Sequence, residues 1–165
     1  PWRRNHEHEK ETLDNIKDKV DYMFCHTETR GVQTSPSTKH LHDGGNEVGI
    51  FKRFKRVYSG HIHYRQDKEN FVLVGNPYQM TRSDRDNQKG IYLLDLETGK
   101  HQFFENHLSP IFIRYYINEI LEMRMEDVAK EIQDNFVDVF IPSNVLGKYN
   151  INMFMKIYSL YIEIT

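Results

Sequence analysis

Tyr58-Ser59-Gly60-His61-Ile62-His63, followed shortly by Phe71-Val72-Leu73-Val74-Gly75-Asn76-Pro77, is the stretch on which the reading of this chain turns. Val57 and Tyr58 are strand formers, and Ser59-Gly60 ends the strand they predict. Gly60 permits backbone angles or a close approach that a β-carbon would forbid. One residue separates His61 from His63, so both imidazoles leave the strand end together, and neutral imidazole is the commonest side-chain ligand of transition metals. A bare His-x-His is usually two polar loop histidines, and the same spacing recurs at His6/His8 and His40/His42. The third pair differs in its setting, between a hydrophobic strand with a terminal glycine and a second apolar run closed by Gly-Asn-Pro, which cannot continue a sheet interior.

Upstream, Tyr22-Met23-Phe24-Cys25 is a short run suited to a buried strand, with His26 at its end. Gly60-His61-x-His63 closing a strand, preceded by a lone histidine at another strand's C-terminal end, resembles the last metal-binding motifs of the calcineurin-like metallophosphoesterases. Within that superfamily the chain is most similar to the SbcD-type recombination nuclease subunit, especially the form carried by T-even-like phages. Pro1-Trp2 before a polar helix, Phe24-Cys25-His26, Tyr58-Ser59-Gly60-His61, Gly75-Asn76-Pro77 and Lys89-Gly90-Ile91-Tyr92 fall in that family's order. The likeness runs by motif from Pro1 to Asn106 and by pattern beyond.

The resemblance implies phosphodiester hydrolysis of DNA by two divalent metal ions, expected to be manganese, with His26 and His61 serving one ion and His63 the other. It also implies a role in recombination or repair, an SbcC-type ABC ATPase partner, a homodimer, and the cytoplasm of the host cell if the protein is phage-encoded. The family's earlier motifs, Asp-x-His, Gly-Asp-x-x-Asp and Gly-Asn-His-Asp or Glu, are absent from these residues, and with them the acid-base group, so no catalytic residue is assigned. Asp21, Asp43, Asp95 and Asp138 are isolated and lack the strand-end context of a substitute. The expectation is therefore a C-terminal part of the nuclease subunit that holds the histidine side of a site without its carboxylate side. Two alternatives remain open: another calcineurin-like phosphodiesterase or phosphatase, and a non-catalytic module docking on an ATPase partner.

The 165 residues, 38% hydrophobic and 28% charged with net charge −2, describe a globular chain whose overall charge argues neither for nor against nucleic acid. No apolar run approaches membrane-spanning length. The single cysteine excludes an internal disulfide and suits a reducing cytoplasm; Cys25 reads as a buried strand residue rather than a nucleophile.

The fold class that the resemblance implies is α+β: part of a two-sheet sandwich flanked by helices over residues 1–108, then a small α/β unit resembling the family's cap over 109–165. His8 to Val20 carries the stripe Leu13, Ile16, Val20 of a surface helix. Thr27 to Asn46 reads as a long loop; the resemblance places this region beside the metal site, where His42 could orient a phosphate, against the commoner reading of His40 and His42 as two exposed loop histidines. Glu47 to Arg56 reads as a short helix with Ile50, Phe51 and Phe54 on one face and Lys52, Arg53, Lys55 and Arg56 on the other. Lys52 and Arg53, with Arg82, Arg85 and Lys89 of a later polar loop, are the candidates for DNA phosphate contact, against the commoner reading of a solvated face. Arg65 to Asn70 reads as a polar turn, with Phe71 to Val74 returning as a hairpin. Ile91 to Leu96 and Lys100 to Glu105 predict a second hairpin through Glu97-Thr98-Gly99. After Ser109-Pro110 a βαβαβ order is expected: Ile111 to Ile117, a helix with Met125, Val128, Ala129 and Ile132 on one face, Val137 to Ile141, a helix capped by Asn150 or Asn152, and Tyr161 to Ile164.

Overall fold

A computed structural model of the chain describes residues 6–148 apart from Ser37, so the second helix and last strand expected beyond Asn150 lie outside the described residues. The fold is α+β, in two compact units that separate between Ser109 and Pro110.

The first unit is organised by a four-stranded sheet in the order β1 (Tyr22–His26), β4 (Arg56–Gly60), β6 (Phe71–Leu73), β5 (Gln66–Lys68). β1 and β4 are parallel, as are β4 and β6, and β5 closes the edge antiparallel to β6. Strands with neighbours on both sides and cover on both faces carry continuous apolar runs. Val57 and Tyr58 of β4 and Phe71, Val72 and Leu73 of β6 are accordingly all buried. Among the described residues β1 lies at the sheet edge, and its burial alternates instead. Met23 and Cys25 pack on the core, whereas Phe24 is 67% exposed and stacks on Tyr58 with ring centroids 5.4 Å apart. Burial raises the pKa of the Cys25 thiol, which fits a packing residue better than a nucleophile.

Beneath the sheet, Leu13, Val32, Val48, Phe51, Phe54, Val57, Ile62, Phe71 and Leu73 form one apolar cluster. Helix α1, His6–Asp14, is shorter than the stripe to Val20 predicts. Leu13 is buried and Ile16 half-buried against the core, but Val20 is exposed. The Arg53 guanidinium stops the helix by donating to the carbonyls of Leu13 (3.1 Å), Ile16 (2.7 Å) and Asp18 (3.4 Å), filling acceptors that a helix end leaves open.

The loop after His26 is more ordered than its composition suggests. Its start and end pair as the parallel strands β2 (Thr29–Arg30) and β3 (Asn46–Glu47), and Val32 is buried between them in sequence. The expected helix over Glu47 to Arg56 is only a short 3-10 helix, Val48–Phe51, because Arg56 is already the first residue of β4. The polar turn expected over Arg65 to Asn70 contains β5, so the hairpin partner of β6 is β5 and not β4. Gln66, Asp67 and Lys68 are the polar residues of an edge strand. Asn70 ties this hairpin to the core by donating to the carbonyls of Phe51 and Phe54. β7 (Gly90–Leu94) and β8 (His101–Glu105) make the second hairpin at the expected place. Asp95 accepts from the Glu97 and Thr98 amides in its turn.

In the second unit β9 (Phe112–Tyr116) and β10 (Phe136–Phe140) are parallel. The crossover is made by α2 (Ile117–Glu122) and α3 (Met125–Ile132), two helices where one was expected. Ile120, Val128 and Ile132 are buried against Tyr115, Val137 and Val139. No helix among the described residues is long and apolar enough to cross a membrane.

Phe71 is wholly buried at the centre of the first core, its ring 5.0 Å from that of Phe51. Phe71→Ala should destabilise the first unit by about 3–5 kcal/mol in denaturant unfolding, the usual range for emptying a packed aromatic site.

Candidate metal and phosphate site

The parallel register of β1 on β4 sets His26 opposite Gly60, both at C-terminal strand ends. A β-carbon on Gly60 would lie 2.7 Å from Nδ1 of His26, so the glycine is the space in which that imidazole rests. The chain then turns at His61 with φ 82°, a left-handed conformation that costs a non-glycine residue of order 1–3 kcal/mol. The result is that the His26 and His61 rings meet edge to face, with centroids 5.4 Å apart and an interplanar angle of 84°. Burial, then the neighbouring His26, push the His61 pKa below its ordinary 6.5; Glu28 opposes the shift and His42 and His63 add to it. His61 is thereby biased to the neutral form that binds metal.

His63 does not face this pair in the same way. Its side chain is 44% exposed, and its Nδ1 lies 3.5 Å from Oδ2 of Asp84. Among the described residues no three His, Cys, Asp or Glu side chains are gathered closely enough to hold an ion. Two imidazoles over a glycine cradle, one of them with its pKa lowered by burial, fit part of a transition-metal donor set. They do not make a complete coordination sphere.

The loop leaving His26 is pinned by groups that carry no signal in local sequence. Glu9 of α1 accepts from Thr27 Oγ1 (2.7 Å) and from Asn46 Nδ2 (2.5 Å), joining the exit of β1 to β3. Next to Thr27, Glu28 pairs with His42 at 2.8 Å, both half-buried. Gly44 makes room for that pair, since a β-carbon there would fall 2.6 Å from Glu28 Oε1, and Gly45 lets the Glu28 main-chain carbonyl approach its own backbone. His42 is therefore not the exposed loop histidine expected from its surroundings, although His40 is exposed. His8 bonds Glu11 on the surface of α1.

On the other side stands a buried ionic cluster that sequence reading missed. Asp84, 2% exposed, accepts at Oδ1 from Lys89 (2.8 Å) and at Oδ2 from the amides of Met80 (3.0 Å) and Thr81 (2.9 Å) and the Thr81 hydroxyl (3.1 Å). Burial alone would raise the Asp84 pKa, but the bonds from Lys89, Met80 and Thr81 outweigh it and hold the carboxyl at about 2. Lys89 was expected to meet phosphate. Instead it is 5% exposed, donating to Asp84, to Asn76 Oδ1 (2.5 Å) and to the His63 carbonyl (2.8 Å), which uses all three ammonium hydrogens.

The basic run near β4 does not form a stripe. Lys52 lies 3.9 Å from Glu69, Arg53 caps α1, Lys55 sits 5.5 Å from the Tyr22 ring centroid, and Arg56 donates to His101. Arg82 is exposed; Arg85 is mostly enclosed, with Nε 4.0 Å from Asp86.

Two outcomes follow from this geometry. Gly60→Ala should leave the chain folded but displace the His26 ring, read by NMR as loss of the His26–His61 ring contact without a change in overall dispersion. Asp84 contributes stability that is complete above its unfolded value near 3.8 and is lost as pH falls through about 2. Acid unfolding of the wild type should therefore show a loss of about 2 kcal/mol across that window, absent in Asp84→Asn. The His61 effect falls in a separate window that opens below its ordinary 6.5.

No family model matches the chain. Over 108 residues it is 30% identical to Exonuclease subunit 1 of Enterobacteria phage T4, an alignment that takes in 65% of this chain and 31% of that protein. The chain thus spans about a third of the length of the curated relative it matches, and the similarity supports a nuclease-related family.

Proposed function

We propose that the chain is the histidine-bearing portion of a metal-dependent DNA nuclease subunit of the calcineurin-like, SbcD-type family, hydrolysing phosphodiester bonds in recombination or repair. The observation that carries this reading is the meeting of His26 and His61 across Gly60 at the ends of two parallel strands. The similarity to a phage exonuclease subunit supports the substrate class.

In this reading His26 and His61 hold one divalent ion, expected to be manganese, and His63 contributes to a second. Such ions activate water and neutralise charge on the attacked phosphate. Of this chain's own residues, Gly60 leaves the His26 ring its place, and the left-handed turn at His61 sets the second ring beside it. Burial lowers the His61 pKa, which favours the neutral form that serves as a donor. Manganese favours oxygen ligands, so three imidazoles alone would bind at most one ion, weakly. Lys52, Arg82 and Arg85 are the proposed phosphate contacts. Arg53 carries the charge for such a contact, but its guanidinium is engaged with the end of α1. A docking partner of the SbcC-type ATPase class, a homodimer and the host-cell cytoplasm complete the proposal.

Calorimetric titration of the full chain with Mn²⁺ should give one weak site that His26→Ala and His61→Ala each abolish and that His40→Ala leaves intact. Binding retained by both the His26 and the His61 variants would refute the assignment. DNA affinity should depend on salt, and Arg82→Ala should reduce the slope of log affinity against log salt by about one. Arg53→Ala should act mainly through stability. An unchanged slope in Arg82→Ala would assign that residue to the solvated face.

A further inference from the structure

Helix α1 carries a carboxylate on the face it turns to the core. Leu13 is buried there, and Glu9, one turn earlier on the same face, is half-buried. A polar group placed so must find donors, and Glu9 finds them at the exit of β1. Its Oε2 accepts from the hydroxyl of Thr27, the residue that follows His26, at 2.7 Å, and from Nδ2 of Asn46, the first residue of β3, at 2.5 Å. Thr27 is 2% exposed, and its amide donates to Ser59 Oγ of β4 at 3.4 Å. The Asn46 amide donates in turn to the Glu28 carbonyl at 3.1 Å. One carboxylate oxygen is thus the node at which the chain leaving His26 meets the chain returning at β3.

The place of that node matters because of what β1 lacks. Among the described residues β1 has a ladder partner on one side only, and His26, its last residue, is exposed. The direction of the His26 ring therefore depends on how the strand end is tied. Helix α1 is a firm support for the tie, since Leu13 and Ile16 pack on the core and Arg53 holds its C-terminal carbonyls. We propose that Glu9 is a positioning residue for His26: by holding Thr27 and Asn46 together it fixes the end of an edge strand, and with it the His26 ring against His61. It acts through Thr27 and not as a ligand. That the two rings then hold a divalent ion rests on the reading given under Proposed function; their positioning by Glu9 does not.

The test uses the full chain with Glu9→Gln and Thr27→Val, singly and together. Gln puts an amide NH₂ where an accepting oxygen stood, and Val keeps the shape of Thr without its hydroxyl. In metal-free NMR each variant should lose the contact between the His26 and His61 rings. In calorimetry each should weaken Mn²⁺ binding by about tenfold, the low end of what partners behind a ligand contribute. The double variant should be no worse than the worse single one, because both remove the same link. Leu13→Ala is the control: it should lower the unfolding midpoint yet keep the ring contact. Should Glu9→Gln not fold, Thr27→Val decides by the same contact. A ring contact kept in the folded single variants, additive losses in the double variant, or an equal loss in Leu13→Ala would each overturn the proposal. A wild type that binds no Mn²⁺ would refute the metal reading, while the ring contact would still decide the role of Glu9.

Discussion

The pairing of β1 with β4 is the constraint from which the rest of the first unit follows. It brings residues 34 positions apart in the chain, His26 and Gly60, side by side. Any slip of this register by one residue would turn His26 to the opposite face and bring Met23 and Cys25 out of the core. The same burial that fixes the core therefore also fixes where the imidazoles stand. Gly60 needs no side chain for its part, since its contribution is the volume that the His26 ring occupies.

Around that pairing, charged residues serve chiefly as ties between segments distant in sequence. Arg53 closes α1, Glu9 joins the ends of the loop after His26, and Lys89 gathers the turns carrying His63, Asn76 and Asp84. The bonds from Lys89 to Asn76 and Asp84 satisfy polar groups that the surrounding packing takes from water, where leaving one unmade would cost about 1–3 kcal/mol. A chain with nearly balanced charge thus uses part of it inside, and the surface left for a polyanion is smaller than its count of Lys and Arg suggests.

How much could be read beforehand depends on the range of the interaction. Strands β1, β4 and β6 and the β7–β8 hairpin announce themselves through local apolar runs and turn residues, and the adjacency of His26 and His61 follows from two strand ends each closing on a histidine. The partners of Lys89, Glu28 and Glu9 do not, because Asp84, His42, Thr27 and Asn46 are chosen by tertiary proximity. β5 was hidden for a different reason: an edge strand exposes its side chains, so Gln66-Asp67-Lys68 has the composition of a turn. The run Lys52 to Arg56 misleads because Phe51 and Phe54 are both buried, as on a helix face, although β4 begins at Arg56 and ends any helix before it forms.

The edge position of β1 bears on how the site comes apart. Among the described residues β1 has a ladder partner on one side only, and Phe24 covers its outer face incompletely, while β4 and β6 are enclosed. Opening energies within one domain range from almost nothing at frayed edges to the full stability of the core. Detachment of β1 would separate His26 from His61 while Val57, Phe71 and Leu73 kept their packing. The ladder that holds β1 against β4 therefore also holds the two rings in register, and amide exchange along Met23 to His26 would run faster than along Val57 to Ser59.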